Sequence, residues 1–264
     1  MTPRQTLQRR LQQFIRASGA RPKIFAHRGA RAHAPENTIQ AFALAKDHGA
    51  DGIELDVRQT RCGILVVSHD EQIRRPDGRR VPLSHLNQHE LPELKDGRRD
   101  TLCTLCEALE WAADEKTLVN IELKADLPDP KRLVRNTVRL LRQFNQEPYL
   151  FSSFSPGVIR MLRQQLPASP TSFLFQTEEY PRLGRGLQKL PLWRLLGAQG
   201  VHPANKDVSR KILRHQRVLG RGLVNVWTVN RGERARKLAG LGVDGLFTDD
   251  PQAILKALEK ESLG

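Results

Sequence analysis

Residues 51–70 read DGIELDVRQTRCGILVVSHD, and they decide the fold. Gly52–Val57 is a β-rich run, and its two carboxylates, Glu54 and Asp56, stand two apart and share one face of a strand. Ile64–Ser68 is a second β-rich run, ending in His69-Asp70. Between them, Arg61-Cys62-Gly63 places a glycine where φ > 0 is tolerated, which is a hairpin signal. One of the two strands is therefore an antiparallel partner and not an independent βα unit.

Working outward, further strands are expected at Lys23–Ala26, Leu118–Leu123, Tyr149–Ser153, Ser172–Phe175, Gly200–His202, Leu223–Val229 and Gly245–Thr248. Helical patterns lie between most of them, at Thr38–His48, Leu102–Asp114, Pro130–Phe144, Pro156–Gln165, Asp207–Leu219, Gly232–Leu241 and Pro251–Lys260. Such alternation implies an α/β protein with a parallel sheet covered by helices. Nine strands with one hairpin fit eight βα units, a (β/α)8 TIM barrel, whose usual length of about 250 residues suits this 264-residue chain. A doubly wound open sheet is disfavoured, because no G-x-G-x-x-G follows the first strand. The irregular, Arg-, Asp-, Pro- and Gly-rich stretch Asp70–Asp100 is expected to be a short loop insertion after the third strand, with Pro76-Asp77-Gly78 as a turn between charged arms. The expected organisation is a helix over 1–20 and a single barrel domain over 21–264.

Charge is unevenly placed. Lys and Arg number 43 against 29 Asp and Glu, giving +14, yet the first acidic residue is Glu36. Leu7, Leu11, Phe14 and Ile15 recur at helical spacing among Arg4, Arg9, Arg10 and Arg16, so residues 1–20 read as a basic amphipathic helix. Such a helix either lies weakly on an anionic membrane surface or packs its apolar stripe on its own domain. Nucleic acid is not expected as a partner: there is no zinc-finger spacing, no basic helix with heptads and no aromatic-rich basic strand. No apolar run is long enough to span a membrane or to serve as a secretory signal, and three cysteines fit a reducing compartment. A cytoplasmic location is expected, with weak membrane contact through residues 1–20.

In a barrel the chemistry sits at the C-terminal ends of strands. Those ends carry His27-Arg28-Gly29, Glu54 with Asp56, His69-Asp70, Glu122 with Lys124, and Trp227 followed by Asn230. Carboxylates inside apolar strands are costly unless paired, protonated or metal-bound. Glu54, Asp56 and Glu122 converging at a strand end suit a hard cation, Mg2+ or Ca2+. Alternatively Arg28 and Lys124 neutralise them as a salt-bridge network, and the two arrangements are compatible. His27 and His69 are candidate acid/base groups, since imidazole titrates nearest neutrality. Among the other histidines only His33 and His202 lie near strand ends. Cys103-x-x-Cys106 reads as ordinary helix positions, because only Cys62 remains to complete a zinc site.

The ordered set Ala26-His27-Arg28-Gly29, Pro35-Glu36-Asn37-Thr38, Ile53-Glu54-Leu55-Asp56-Val57, Ser68-His69-Asp70, Ile121-Glu122-Leu123-Lys124, Trp227-Thr228-Val229-Asn230 and Thr248-Asp249 resembles the glycerophosphodiester phosphodiesterase family, from about residue 23 to 255. The resemblance implies a (β/α)8 barrel and divalent-metal-dependent hydrolysis of glycerophosphodiesters to glycerol 3-phosphate and an alcohol. It assigns metal binding to Glu54, Asp56 and Glu122, acid/base work to His27 and His69, phosphate contact to Arg28 and Lys124, and pocket lining to Trp227. The sequence departs from the family at Cys62, where the hairpin usually has Asp, at the short 71–100 segment, and at Leu102-Cys103, which replaces a proline. It leaves open whether water or the glycerol 2-hydroxyl attacks, and which histidine is the acid. A lysophospholipase D acting at a membrane and a non-catalytic barrel binding anionic lipid or nucleic acid are the competing functions. The second is disfavoured by the intact set of His27, Glu54, Asp56, His69 and Glu122.

Overall fold

A computed structural model of the chain describes residues 1–18, 20–75, 77–91, 102–126, 129–144, 149–179, 192–210, 213 and 222–259. Eight parallel strands close into a ring: β1 (Lys23–His27), β2 (Gly52–Gln59), β7 (Leu118–Leu123), β8 (Tyr149–Ser153), β9 (Thr171–Phe175), β10 (Gly200–Pro203), β11 (Leu223–Val226) and β12 (Gly245–Thr248). Closure comes from β1, which pairs with β2 on one side and β12 on the other. The (β/α)8 expectation therefore holds. The hairpin at Arg61-Cys62-Gly63 is also present: β3 (Leu65–Val67) runs antiparallel to β2, outside the ring, and β6 (Cys103–Thr104) pairs antiparallel with β3. Thr60 Oγ1 accepts from Ile64 N across the turn at 3.1 Å.

Two local expectations need correction. The third helix begins at Leu105 and not at Leu102, because Thr104 is its N-cap: its hydroxyl accepts from Glu107 N and Glu107 in return accepts from Thr104 N. Cys103 is thus a strand residue and Cys106 a helix residue, and the two do not share a helix. The strand expected over Leu223–Val229 ends at Val226, and Trp227 continues it only by an isolated bridge to Ala204. Within the insertion, β4 (Gln72–Arg74) and β5 (Arg80–Pro82) form a hairpin around the expected turn. Most of the helix expected over Asp207–Leu219, like residues 92–100 of the insertion, lies outside the described residues.

The helices cover the ring in sequence order: α1 (Pro3–Phe14), α2 (Ile39–Asp47), α3 (Leu105–Asp114), α4 (Pro130–Leu141), α5 (Pro156–Gln165), α6 (Gly232–Gly240) and α7 (Pro251–Glu259). Their apolar faces and the outward side chains of the strands, such as Ile53, Leu55, Val119 and Ile121, make the main core. Helix α1 is different. A Thr2–Gln5 capping box and Pro3 start it, and its stripe is spent on the barrel floor. Phe14 is fully buried with Phe25, Leu150, Leu223 and Phe247, and its ring stacks on Phe25 at 6.2 Å. Burying such a side chain is worth about 1.5–3 kcal/mol. No described helix is long and apolar enough to cross a membrane.

Candidate active site

Strand register brings the polar strand ends to one level. His27 lies opposite Glu54 across β1 and β2, and Asp56 lies opposite Glu122 across β2 and β7. Period-2 alternation then aims Glu54, Asp56 and Glu122 into the barrel, where all three are buried. One oxygen from each lies within 4.8 Å of the others. His27, Arg28, Glu54, His69, Glu122, Lys124 and Trp227 line a single cavity of about 500 Å3, with Asp56 directly beneath. Every site residue expected from the sequence is therefore in or immediately under this cavity. Phe154 joins Trp227 in an edge-to-face pair on its wall, and His202 lies at its base.

Two cations are threaded through the carboxylates. Lys124 Nζ is 2.8 Å from Asp56 Oδ1 and 2.6 Å from Glu122 Oε1, while Arg28 Nε is 3.1 Å from Asp56 Oδ2. Asn37 Nδ2 donates to the same Asp56 oxygen at 3.0 Å. Burial alone would raise the Asp56 carboxyl, but Lys124, Arg28 and these hydrogen bonds outweigh it and hold it well below the usual range. Glu54 goes the other way. Burial, then the charges of Asp56 and Glu122, push it well above the usual range despite Arg28 and Lys124. Burial likewise raises Glu122. Glu54 Oε2 accepts from the Arg28 backbone N at 3.0 Å, but Oε1 is buried with no hydrogen-bond partner among the described residues. The salt-bridge network thus exists, and it leaves acceptor capacity on Glu54 unsatisfied.

Backbone geometry serves this arrangement. Arg28 and Asn37 both occupy the left-handed region, at φ 59° and 58°, an uncommon state for residues other than glycine. Gly29 follows at φ 82°, and a Cβ there would fall 2.6 Å from Ala41 Cβ. The glycine lets α2 press against the turn that presents His27 and Arg28.

Each histidine has a carboxylate on Nδ1: His27 meets Asp249 at 2.7 Å, and His69 meets Asp70 at 2.9 Å. Burial and the nearby Lys124 charge lower the His69 pKa and favour its neutral form. Asp249 also accepts from Asn230 Nδ2 at 2.6 Å. Arg58, nearly buried, forms a two-pronged pair with Asp126 and donates from Nε to the His69 carbonyl at 2.8 Å, which fixes the loop carrying that histidine. Asp249, Asn37 and Arg58 are the residues that strand-end reasoning alone did not single out. The sequence signal for Asp249 was its position immediately after β12.

Similarity to known proteins shows the family of the chain. The model of the glycerophosphoryl diester phosphodiesterase family matches residues 27–253. A glycerophosphodiester phosphodiesterase of Caldanaerobacter subterraneus is 30% identical over 248 residues, covering 90% of this chain and 98% of its own. A structure from Silicibacter pomeroyi, described as a candidate glycerophosphoryl diester phosphodiesterase, superposes with a TM-score of 0.84 at 27% identity, over 96% of this chain and 97% of that one. An Oleispira antarctica phosphodiesterase, solved in complex with the product sn-glycerol-3-phosphate, gives 0.78 at 26% identity, over 90% and 97%.

Proposed function

Because the chain belongs to the glycerophosphoryl diester phosphodiesterase family and is a phosphoric diester hydrolase of that kind, we propose that it cleaves glycerophosphodiesters to glycerol 3-phosphate and an alcohol with a divalent cation held by Glu54, Asp56 and Glu122 and with His27 and His69 moving the protons. The observation that carries the proposal is the convergence of three buried carboxylates, one with an orphaned oxygen, beneath two carboxylate-oriented histidines in one cavity. The donor set fits a hard cation such as Mg2+ or Ca2+: it is all oxygen, and three carboxylates face the two cations Arg28 and Lys124. When bound, such an ion supplies Lewis-acid stabilisation to a phosphoryl oxygen.

The remaining work belongs to the chain. With Nδ1 of His27 held by Asp249, Nε2 is the ring nitrogen left for proton transfer, and the same holds for His69 with Asp70. One imidazole takes the proton of the attacking hydroxyl, from water or from the glycerol 2-hydroxyl. The other delivers a proton to the departing alcohol oxygen. Arg28 and Lys124 contact the phosphate oxygens as charge develops on them. Phe154 and Trp227 supply the apolar wall against the leaving group.

Membrane contact through residues 1–20 is left to charge. Leu7 and Phe14 are buried, Phe14 against the floor, and Arg10 and Arg16 donate to the carbonyls of Ala168 and Ala239, so Arg4 and Arg9 remain as exposed cations. The helix sits at the end of the barrel opposite the cavity. Contact of this kind is weak and salt-sensitive, and it does not aim the mouth at a bilayer. The direct test of the function is release of glycerol 3-phosphate from glycerophosphocholine with and without EDTA. Release that stops in chelator and returns with Mg2+ or Ca2+ is expected; chelator-insensitive release would sink the metal assignment.

A further inference from the structure

Outside the cavity, three donors from separate elements meet. His33 lies in the loop after β1, His48 ends α2, and Asp250 immediately precedes α7. One ligand atom from each falls within 4.8 Å of the other two. His33 Nε2 is 3.1 Å from Asp250 Oδ2, and the two imidazoles meet edge to face with centroids 5.3 Å apart. A tetrahedral ion with nitrogen and oxygen ligands at 2.0–2.1 Å has donor–donor edges of about 3.3 Å, so the observed pair already spans one edge.

Two further features fit an ion at this place. Among the described residues, His48 Nδ1 is buried and has no hydrogen-bond partner, an arrangement that costs free energy unless something fills the gap. Asp250 is also held in position. Its Oδ1 accepts from Ala253 N at 3.0 Å, which leaves Oδ2 as the oxygen facing His33. Fixing a carboxylate through its second oxygen is how outer partners orient a metal ligand. The backbone on both sides is tied down by Ala32 N to Asp249 O at 3.1 Å and His48 N to Leu44 O at 2.9 Å.

We propose that His33, His48 and Asp250 bind a transition-metal ion of the Zn2+ class, at a site separate from the carboxylate cluster in the barrel. Two imidazoles and one carboxylate are the donors of Zn2+ and its neighbours, whereas Mg2+ and Ca2+ take oxygen. Water completes the coordination. The ion ties the first βα unit to the last, at the seam where β1 meets β12. Asp250 is also the chain neighbour of Asp249, so the same tie steadies the carboxylate that holds His27.

The test uses the full chain, stripped with chelator and titrated with Zn2+ by calorimetry and with Co2+ as a visible-absorbing probe. Glu54→Gln is included to weaken the carboxylate cluster, and His33→Ala and His48→Ala to remove the new site. One Zn2+ bound by Glu54→Gln is expected, with the strong visible bands of low-coordinate Co2+ and a raised Tm. Affinity at least about 10-fold weaker, and no Tm rise, is expected in both histidine variants. His33 is half-exposed, so His33→Ala keeps the test meaningful if His48→Ala does not fold. Unchanged Zn2+ binding and Co2+ spectra in His33→Ala, or no Zn2+ bound by Glu54→Gln, would overturn the proposal.

Discussion

His27 Nδ1 lies 2.7 Å from Asp249 Oδ1, so the last residue of the first barrel strand is held by the residue that follows the last strand. Asp249 is an acceptor on both sides, since its other oxygen takes the Asn230 amide at 2.6 Å. An asparagine at 249 keeps the Asn230 amide only by turning its own NH2 to the imidazole, which forces the His27 tautomer with Nδ1 accepting and Nε2 already protonated. Asp249→Asn should therefore lower kcat on the order of 10²-fold while KM moves little and Tm stays close to that of the parent. A kcat within about 3-fold of the parent in steady-state assays would show that His27 needs no orienting carboxylate.

Removing the imidazoles themselves should cost more. His27→Ala and His69→Ala are each expected to lose about 10²–10⁴-fold in kcat, the usual worth of positioned proton transfer. Both side chains line the open cavity and are outside the packed clusters of the core, so thermal melting should change little. Lost activity together with a lost melting transition would make these histidines structural instead.

Glu54 offers a test with opposite signs in chelator and in metal. Its folded-state pKa is raised by burial and then by Asp56 and Glu122. A raised carboxyl binds its proton more tightly in the folded state than in the unfolded, so stability from this group falls as pH climbs above the unfolded value near 4.5. At pH 8 in EDTA, Glu54→Gln should melt higher than the parent. Added Mg2+ or Ca2+ should raise Tm of the parent and leave the variant almost unmoved, with activity lost in the variant. Equal metal-induced shifts in calorimetry would remove Glu54 from the ligand set.

The parts of this site that were legible in the sequence share a cause. Strand alternation has period 2, so Glu54 and Asp56 had to face the same way, and a closed parallel barrel gathers strand ends whatever their spacing in the chain. That is why Glu122 and His27 were found with them. What escaped depends on turns and caps. Asn37 reaches Asp56 because its backbone takes φ 58°, which no periodicity reveals. His48 ends α2 and gains its carboxylate neighbour only through Asp250, some two hundred residues on. Cys103 looked helical because Leu102–Asp114 is apolar at the right spacing, and the Thr104–Glu107 box overrides that pattern. The stripe of α1 was legible as a stripe, but the sequence does not say that the barrel floor covers it.

His202 should make the fold acid-sensitive. Burial pushes its imidazole down to about 3, and Nδ1 has no partner among the described residues. The unfolded chain binds this proton below about pH 6.5, while the folded chain refuses it until about pH 3. Stability from this group is therefore present above pH 6.5 and falls by about 1.4 kcal/mol per pH unit as pH drops through that window. Denaturant unfolding of the parent and of His202→Gln at pH 7, 6, 5 and 4 measures it. The parent should lose more stability toward pH 4 than the variant, and parallel pH profiles would show that His202 protonates in the folded state without penalty.

The basic N-terminus is tested by charge reversal and not by deletion. Deleting residues 1–20 would uncover Phe25, Leu150, Leu223 and Phe247 at the barrel floor, and the new apolar surface would itself stick to vesicles. Reversing the two exposed cations, Arg4→Glu with Arg9→Glu, removes charge and leaves Phe14 in place. The parent should co-sediment weakly with phosphatidylglycerol vesicles at low salt and be released near 0.15 M, where screening reaches about 8 Å. The double variant should stay in solution at both salt concentrations. Turnover of soluble glycerophosphocholine should be the same for both proteins, since α1 and the cavity are at opposite ends of the barrel. Vesicle binding that survives the double reversal would place any membrane contact elsewhere on this +14 chain.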